Sequence, residues 1–196
     1  MAREHSVIII PGLGDRYLST KLSTVDWKNR LDLNPYIHLA PWKDDEEFHF
    51  KLKRLTDLID YLVSQGSVSL VGISAGWSLV VNAYSQRRED ITRLVNVCGR
   101  GSAGKNVRPN LTYSAKKSPA FKQSVLAAEK VLPTLSDSDL RKIMTIRGLY
   151  DEAVPLSTIP ILGAKNIQIP SLGHVPTITI AMTIARGPMV KFLQSE

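Results

Sequence analysis

The stretch Val68-Ser69-Leu70-Val71-Gly72-Ile73-Ser74-Ala75-Gly76 decides how this chain folds. Residues 68–71 are a short apolar run of the kind buried in a parallel sheet, and residues 75–86 read as a helix. Between them lies Gly-x-Ser-x-Gly, in which a glycine on each side of the serine lets strand turn into helix without side-chain clash. The turn lifts the Ser74 hydroxyl clear of its neighbours. Such a hydroxyl attacks well only if a base takes its proton and backbone donors meet the oxygen that becomes negative. The plainer alternative is that the glycines serve close helix packing and Ser74 caps a helix, so the partners expected elsewhere in the chain matter.

Working outward, residues 7–10 and 94–97 are further short apolar runs that end near proline or glycine, and residues 37–40, 143–147 and 166–169 are weaker strand candidates. Phe48, Leu52, Leu55, Ile59 and Leu62 recur at helical spacing. The acidic run Asp44-Asp45-Glu46-Glu47 before them reads as carboxylates at a helix start and not as a metal site. Helices are also expected over residues 119–131 and 176–193, each opening with proline. Strands alternating with helices give an α/β chain: a doubly wound, mostly parallel sheet of about six strands flanked by helices, one domain over residues 1–196.

A nucleophile turn demands an acid after a later strand and a histidine after the last, in the order Ser, Asp or Glu, His. Asp151 follows the strand at 143–147, with Glu152 the weaker candidate, and His174 follows the strand at 166–169. Both fall at strand carboxyl ends, where open α/β sheets place their ligand sites. His5, His38 and His49 do not fit the order.

These three segments resemble the α/β-hydrolase superfamily, and the likeness runs from Val7 to His174. Pro11-Gly12-Leu13-Gly14-Asp15 is similar to the His-Gly-Leu-Gly-Asp loop of its carboxylesterase and thioesterase branch, with Pro11 in place of the histidine. The resemblance implies a compact fold with at most a small lid, and it gives the backbone amide of Leu13, with that of Ala75, the role of oxyanion donor. It implies a serine hydrolase acting on a small ester or thioester through Ser74, His174 and Asp151, without metal or cofactor. A non-catalytic binding or scaffold protein on the same fold, or a lyase using the triad as a base, remains an alternative.

The net charge of +7 equals the seven basic residues between Ile91 and Ala128, where no acid occurs. No aromatic RNA-binding signature or zinc-finger spacing accompanies them, which argues against a nucleic-acid partner. Residues 98–140 occupy the lid position of the superfamily, and this short basic segment suits an anionic acyl substrate bound by Arg100 and Lys105, though a solvated loop explains the charge equally well. A segment so short is expected to leave an open, shallow pocket for short acyl groups. Trp42, just past a strand end, is a candidate pocket wall. Cys98 cannot form an internal disulfide, and no apolar run approaches membrane-spanning length, so a cytoplasmic location without membrane insertion is expected. Oligomeric state is left open.

Overall fold

The computed structural model describes residues 4–14, 17–104, 107–116 and 118–195. In chain order the elements are β1 (Glu4–Ile10), α1 (Tyr17–Thr24), α2 (Trp27–Leu31), β2 (Asn34–Ile37), α3 (Phe48–Val63), β3 (Gly66–Ile73), α4 (Gly76–Gln86) and β4 (Ile91–Val97). There follow α5 (Leu111–Ser114), α6 (Pro119–Val131), α7 (Asp137–Arg141), β5 (Ile143–Arg147), β6 (Lys165–Gln168), α8 (His174–Met182) and α9 (Gly187–Gln194). All neighbouring strands are parallel, in the order β2-β1-β3-β4-β5-β6.

Alternation along each strand explains the layers, because successive side chains point to opposite faces. Ile8, Ile10, Val68, Leu70, Leu94 and Ile143 face a core that includes Leu55 and Ile59 of α3, Leu79 of α4 and Phe121 and Val125 of α6. Val7, Ile9, Val71, Val95, Val97, Met144 and Ile146 face the other core, with Trp27 of α2, Met182 of α8 and Met189, Phe192 and Leu193 of α9. Both faces of the sheet are therefore covered.

The strand order reverses between β1 and β3: β2 lies outside β1 on one side, while β3 to β6 fan out on the other. Ligands of open α/β sheets bind at the crevice beyond such a reversal. Ile10 pairs with Gly72, so the two strands end together and the loop at 11–14 runs beside the Ser74 turn.

Several expectations shift in detail. The second strand lies at Asn34–Ile37, upstream of residues 37–40, and it tolerates Pro35 because it is an edge strand. The helix expected over 176–193 is broken into α8 and α9: the chain leaves helical backbone at Thr183, and Pro188 stands in the first turn of the second helix, where its missing N–H costs nothing. The acidic run ahead of α3 places no carboxylate in the first turn: Asp44 and Glu46 instead grip the fully buried Lys51, and Glu46 also binds Arg54. Among the described residues no helix is long and apolar enough to cross a membrane.

Candidate active site

Ser74 stands where β3 gives way to α4, with φ at 53°, a left-handed backbone that costs a non-glycine residue about 1–2 kcal/mol. Close packing enforces it. A Cβ on Gly76 would lie 2.1 Å from the carbonyl oxygen of Ile10, and one on Gly72 would lie 2.5 Å from Cα of Trp77. The glycines thus seat α4 against β1 and β3 and leave no room for a wider turn. The Ser74 amide donates to the Val97 carbonyl at 2.9 Å, tying the elbow to β4.

The loop after β4 supports the elbow from the far side. Asn96, wholly buried, accepts from the Gly99 amide at 2.7 Å and donates to the Gly99 carbonyl at 2.9 Å. A Cβ on Gly99 would come within 2.6 Å of the Ser74 carbonyl oxygen, so this clamp holds backbone directly against the nucleophile turn. Nothing in the local sequence marks Asn96 for that task.

His174 opens α8, and its Nε2 lies 2.8 Å from Ser74 Oγ while its Nδ1 lies 2.7 Å from Asp151 Oδ2. Three residues separated by up to 100 positions in sequence therefore form one hydrogen-bonded line. With the proton on Nδ1 donated to Asp151, Nε2 is left as the acceptor for the serine hydroxyl. The other carboxylate oxygen of Asp151 accepts from the amides of Ala153 at 2.9 Å and Val154 at 2.7 Å, which fixes the acid's orientation. The side chain of Asp151 is wholly buried and that of His174 is 11% exposed, so the ion pair that would form on protonation is shielded from water.

The loops carrying these two residues are joined to each other. Tyr150 and Leu172 form a parallel bridge, and the Gly173 amide donates to the Tyr150 carbonyl at 3.0 Å. Glu152, considered above as a second candidate acid, instead accepts the backbone amide of His174 at 2.9 Å. It clasps the histidine's loop. The remaining histidines are elsewhere: His38 is held down to about 4 by burial and then by Arg54, and His5 is lowered by burial and then by Arg93.

Leu13 lines the cavities on both sides of Ser74 and Ala75 lines one of them, and among the described residues neither of their amides donates to another protein group. Gly12 makes this approach possible: a Cβ there would lie 2.9 Å from Ser74 Cβ. Two cavities meet at this point. One, of about 260 Å³, is bounded by Ala75, Arg100, Pro109, Phe121 and Val154. The other, of about 330 Å³, runs past His174 between α1 and α8, and continues into a further cavity of about 300 Å³ lined by Leu22, Ile73, Ile178 and Met182. The lining on this side is mostly apolar, with Ser19, Thr20 and Thr179 among it.

Of the sequence-predicted binding residues, Arg100 is at the site and Trp42 is not. Trp42 is fully buried behind the loop after β1, with its ring edge-on to Phe121 and its Nε1 donating to the Pro11 carbonyl at 3.4 Å. A strand end brought it near, but its large apolar ring packs into the core under the loop. Lys105 lies outside the described residues. Cys98 is buried beneath the site, and burial, then the nearby Asp151 carboxylate, pushes its thiol pKa up, which leaves it protonated and inert. Among the described residues no group of three or more His, Cys, Asp or Glu side chains converges to hold a metal. A separate cavity of about 370 Å³, between Gly101, Leu132, Thr158 and Ile161, carries no titratable side chain.

No protein-family model matches the sequence, and no curated protein matches it. Solved structures do. A carboxylesterase structure from the thaumarchaeon Nitrososphaera gargenis superposes with a TM-score of 0.69 at 11% identity, over 98% of this chain and 92% of that one. Est1E from Butyrivibrio proteoclasticus gives 0.63 at 14% identity over 100% and 90%. A protein of Xanthomonas campestris pv. campestris assigned to the alpha/beta hydrolase superfamily gives 0.64 at 14% identity over 99% and 100%. At such identities the likeness is one of fold. Together with the parallel sheet, its reversal at β1 and β3 and the sharp turn that carries Ser74, it establishes that this chain has the α/β-hydrolase fold.

Proposed function

We propose that the protein is a serine hydrolase that cleaves a carboxylic ester or thioester through an acyl-enzyme intermediate. The observation that carries this reading is the unbroken line from Asp151 through His174 to Ser74, at 2.7 and 2.8 Å. In the first step Ser74 Oγ attacks the acyl carbon, and its proton passes to Nε2 of His174. Asp151 stabilises the resulting imidazolium and does not take the proton itself. The negative oxygen of the tetrahedral intermediate is met by the amides of Leu13 and Ala75, groups that need no reorganisation to receive it. Collapse expels the alcohol or thiol, which takes the proton from His174. In the second step His174 draws a proton from water, the water oxygen attacks the acyl-serine, and Ser74 leaves with its proton restored.

The two cavities suit the two sides of the scissile bond, with the apolar cleft between α1 and α8 accepting a hydrocarbon portion. Arg100, Pro109, Tyr113 and Phe121 line the other cavity, which supports reading the segment at about 98–140 as a short lid over it. The test is turnover of p-nitrophenyl acetate and butyrate by the full chain and by Ser74→Ala. The expected result is hydrolysis by the natural chain and a loss of about 10⁴-fold or more in kcat in the variant. Equal rates in both proteins contradict the reading.

A further inference from the structure

Arg100 is 2% exposed, yet among the described residues no carboxylate pairs with it. Its fork donates to the carbonyls of Ala103 and Pro109 and to no other described group. A guanidinium carries five N–H donors, so the two carbonyls leave several without an acceptor. Taking a cation out of water is costly unless a counter-charge or a full set of acceptors replaces the water, and carbonyl dipoles replace it only in part. Burial is also the one cause that depresses the Arg100 pKa, with no neighbouring charge contributing. Arginines elsewhere do have carboxylate partners: Arg30 and Arg186 with Asp26, Arg54 with Glu46, Arg87 with Asp60 and Arg88 with Asp139.

The position of this unpaired cation gives it meaning. It lines the cavity of about 260 Å³ that also contains Ser74, Leu13 and Ala75, the atoms at which the acyl carbon would be attacked. The rest of that wall is largely apolar: Pro109, Tyr113, Phe121, Ala153 and Val154. Glu152 is the one carboxylate there, and it is exposed and engaged by the His174 amide. A fork against an apolar wall matches a planar, singly charged group held by two parallel hydrogen bonds. One guanidinium balances one charge, which fits a carboxylate better than a phosphate dianion.

We infer that the substrate carries a carboxylate on one side of its ester bond, bound by Arg100, with the apolar cleft between α1 and α8 receiving the other side. The inference rests on the serine hydrolase reading and narrows its substrate class. A carboxylate on the acyl side or on the alcohol side would satisfy the same chemistry, and paired substrates separate the two. The p-nitrophenyl hemiester of glutaric acid is compared with its methyl ester for the acyl side; 3-(butanoyloxy)benzoate is compared with its methyl ester for the alcohol side.

The quantity read is the ratio of kcat/KM for the charged member of each pair to that for the neutral one, in the natural chain and in Arg100→Met. The expected result is a preference for the charged member of one pair, and a fall of about tenfold or more in that ratio on substitution. Because both substrates share the nucleophile, a general loss of activity or packing leaves the ratio where it was. No preference in either pair, or a preference that survives Arg100→Met, overturns the inference. If Arg100→Met fails to fold, Arg100→Lys is measured instead, and the ratio should fall there too because the paired fork is lost. If the natural chain turns over none of the four esters, the hydrolase reading fails by itself. The anion site is then read by calorimetric titration with monomethyl glutarate against dimethyl glutarate, and equal binding of the two overturns it.

Discussion

Ser74, His174 and Asp151 are each held by backbone as much as by one another. The left-handed φ of Ser74 is imposed by glycines pressed against β1 and α4, and the acid is oriented by the amides of Ala153 and Val154. Gly12 tests this at the scale of one methyl group. In Gly12→Ala the new Cβ would lie 2.9 Å from Ser74 Cβ and 3.3 Å from its Oγ, so the hydroxyl or the loop at 11–14 must move. A displacement well under 1 Å is enough to lower kcat/KM on p-nitrophenyl butyrate by about tenfold or more. Denaturation of the same variant should show a much smaller proportional change. Unaltered kinetics would mean that the approach of the loop to the nucleophile is not tight. At this scale the convergence of Ser74, His174 and Asp151 was legible in the sequence, because strand ends and chain order are written locally. Trp42 was misread for the complementary reason: proximity to a strand end says nothing about which side of a loop a ring packs on. Asn96 and the role of Glu152 were not legible, since each depends on backbone brought from another loop.

Among the elements, β3 and α4 form the unit on which the site depends. Gly76 lies where α4 crosses β1, and a Cβ there would meet the Ile10 carbonyl oxygen at 2.1 Å and its carbon at 2.8 Å. Both are backbone atoms with nowhere to retreat. Gly76→Ala should therefore cost about 2–4 kcal/mol in urea denaturation, although alanine is the better helix former. A variant as stable as the natural chain would show that the helix can ride away from the strand. The sequence spoke most clearly where an element has a strong period or a sharp stop, as in β5 and α6, whose bounds coincide with the expected ones. It was silent over α1, whose Tyr-Leu-Ser-Thr-Lys-Leu-Ser-Thr carries little apolar pattern. Lys51 shows the limit of pattern reading from the other side. A charge within an amphipathic helix reads as solvated, yet it is buried because the acidic run preceding α3 folds back onto it.

Across the whole molecule, half-buried histidines link folding to pH. His38 is held at about 4 by burial, well below its ordinary value near 6.5, and burial lowers His5 as well. Between those limits the unfolded chain binds more protons than the folded one, so stability is complete above about pH 6.5 and falls as the pH drops toward 4. His38 contributes at most about 1.4 kcal/mol per pH unit in that window. Glu46, held down to about 2 first by its hydrogen bonds to Arg54, loses its contribution only at lower pH, below its ordinary 4.5. The urea midpoint should therefore be lower at pH 5 than at pH 7, and His38→Gln should narrow the difference; an unchanged difference would remove His38 from the account. The topology serves the site at the same scale, since the reversal of strand order opens the crevice into which the loops after β1, β3, β5 and β6 deliver Leu13, Ser74, Asp151 and His174. The most direct test of that convergence is covalent labelling of the folded chain with a fluorophosphonate, followed by mass spectrometry of its peptides. A stoichiometric adduct on Ser74, absent when His174 is replaced by alanine, is the expected result. A folded chain that stays unlabelled at Ser74, or labels equally without His174, contradicts the claim that Ser74 is an activated nucleophile.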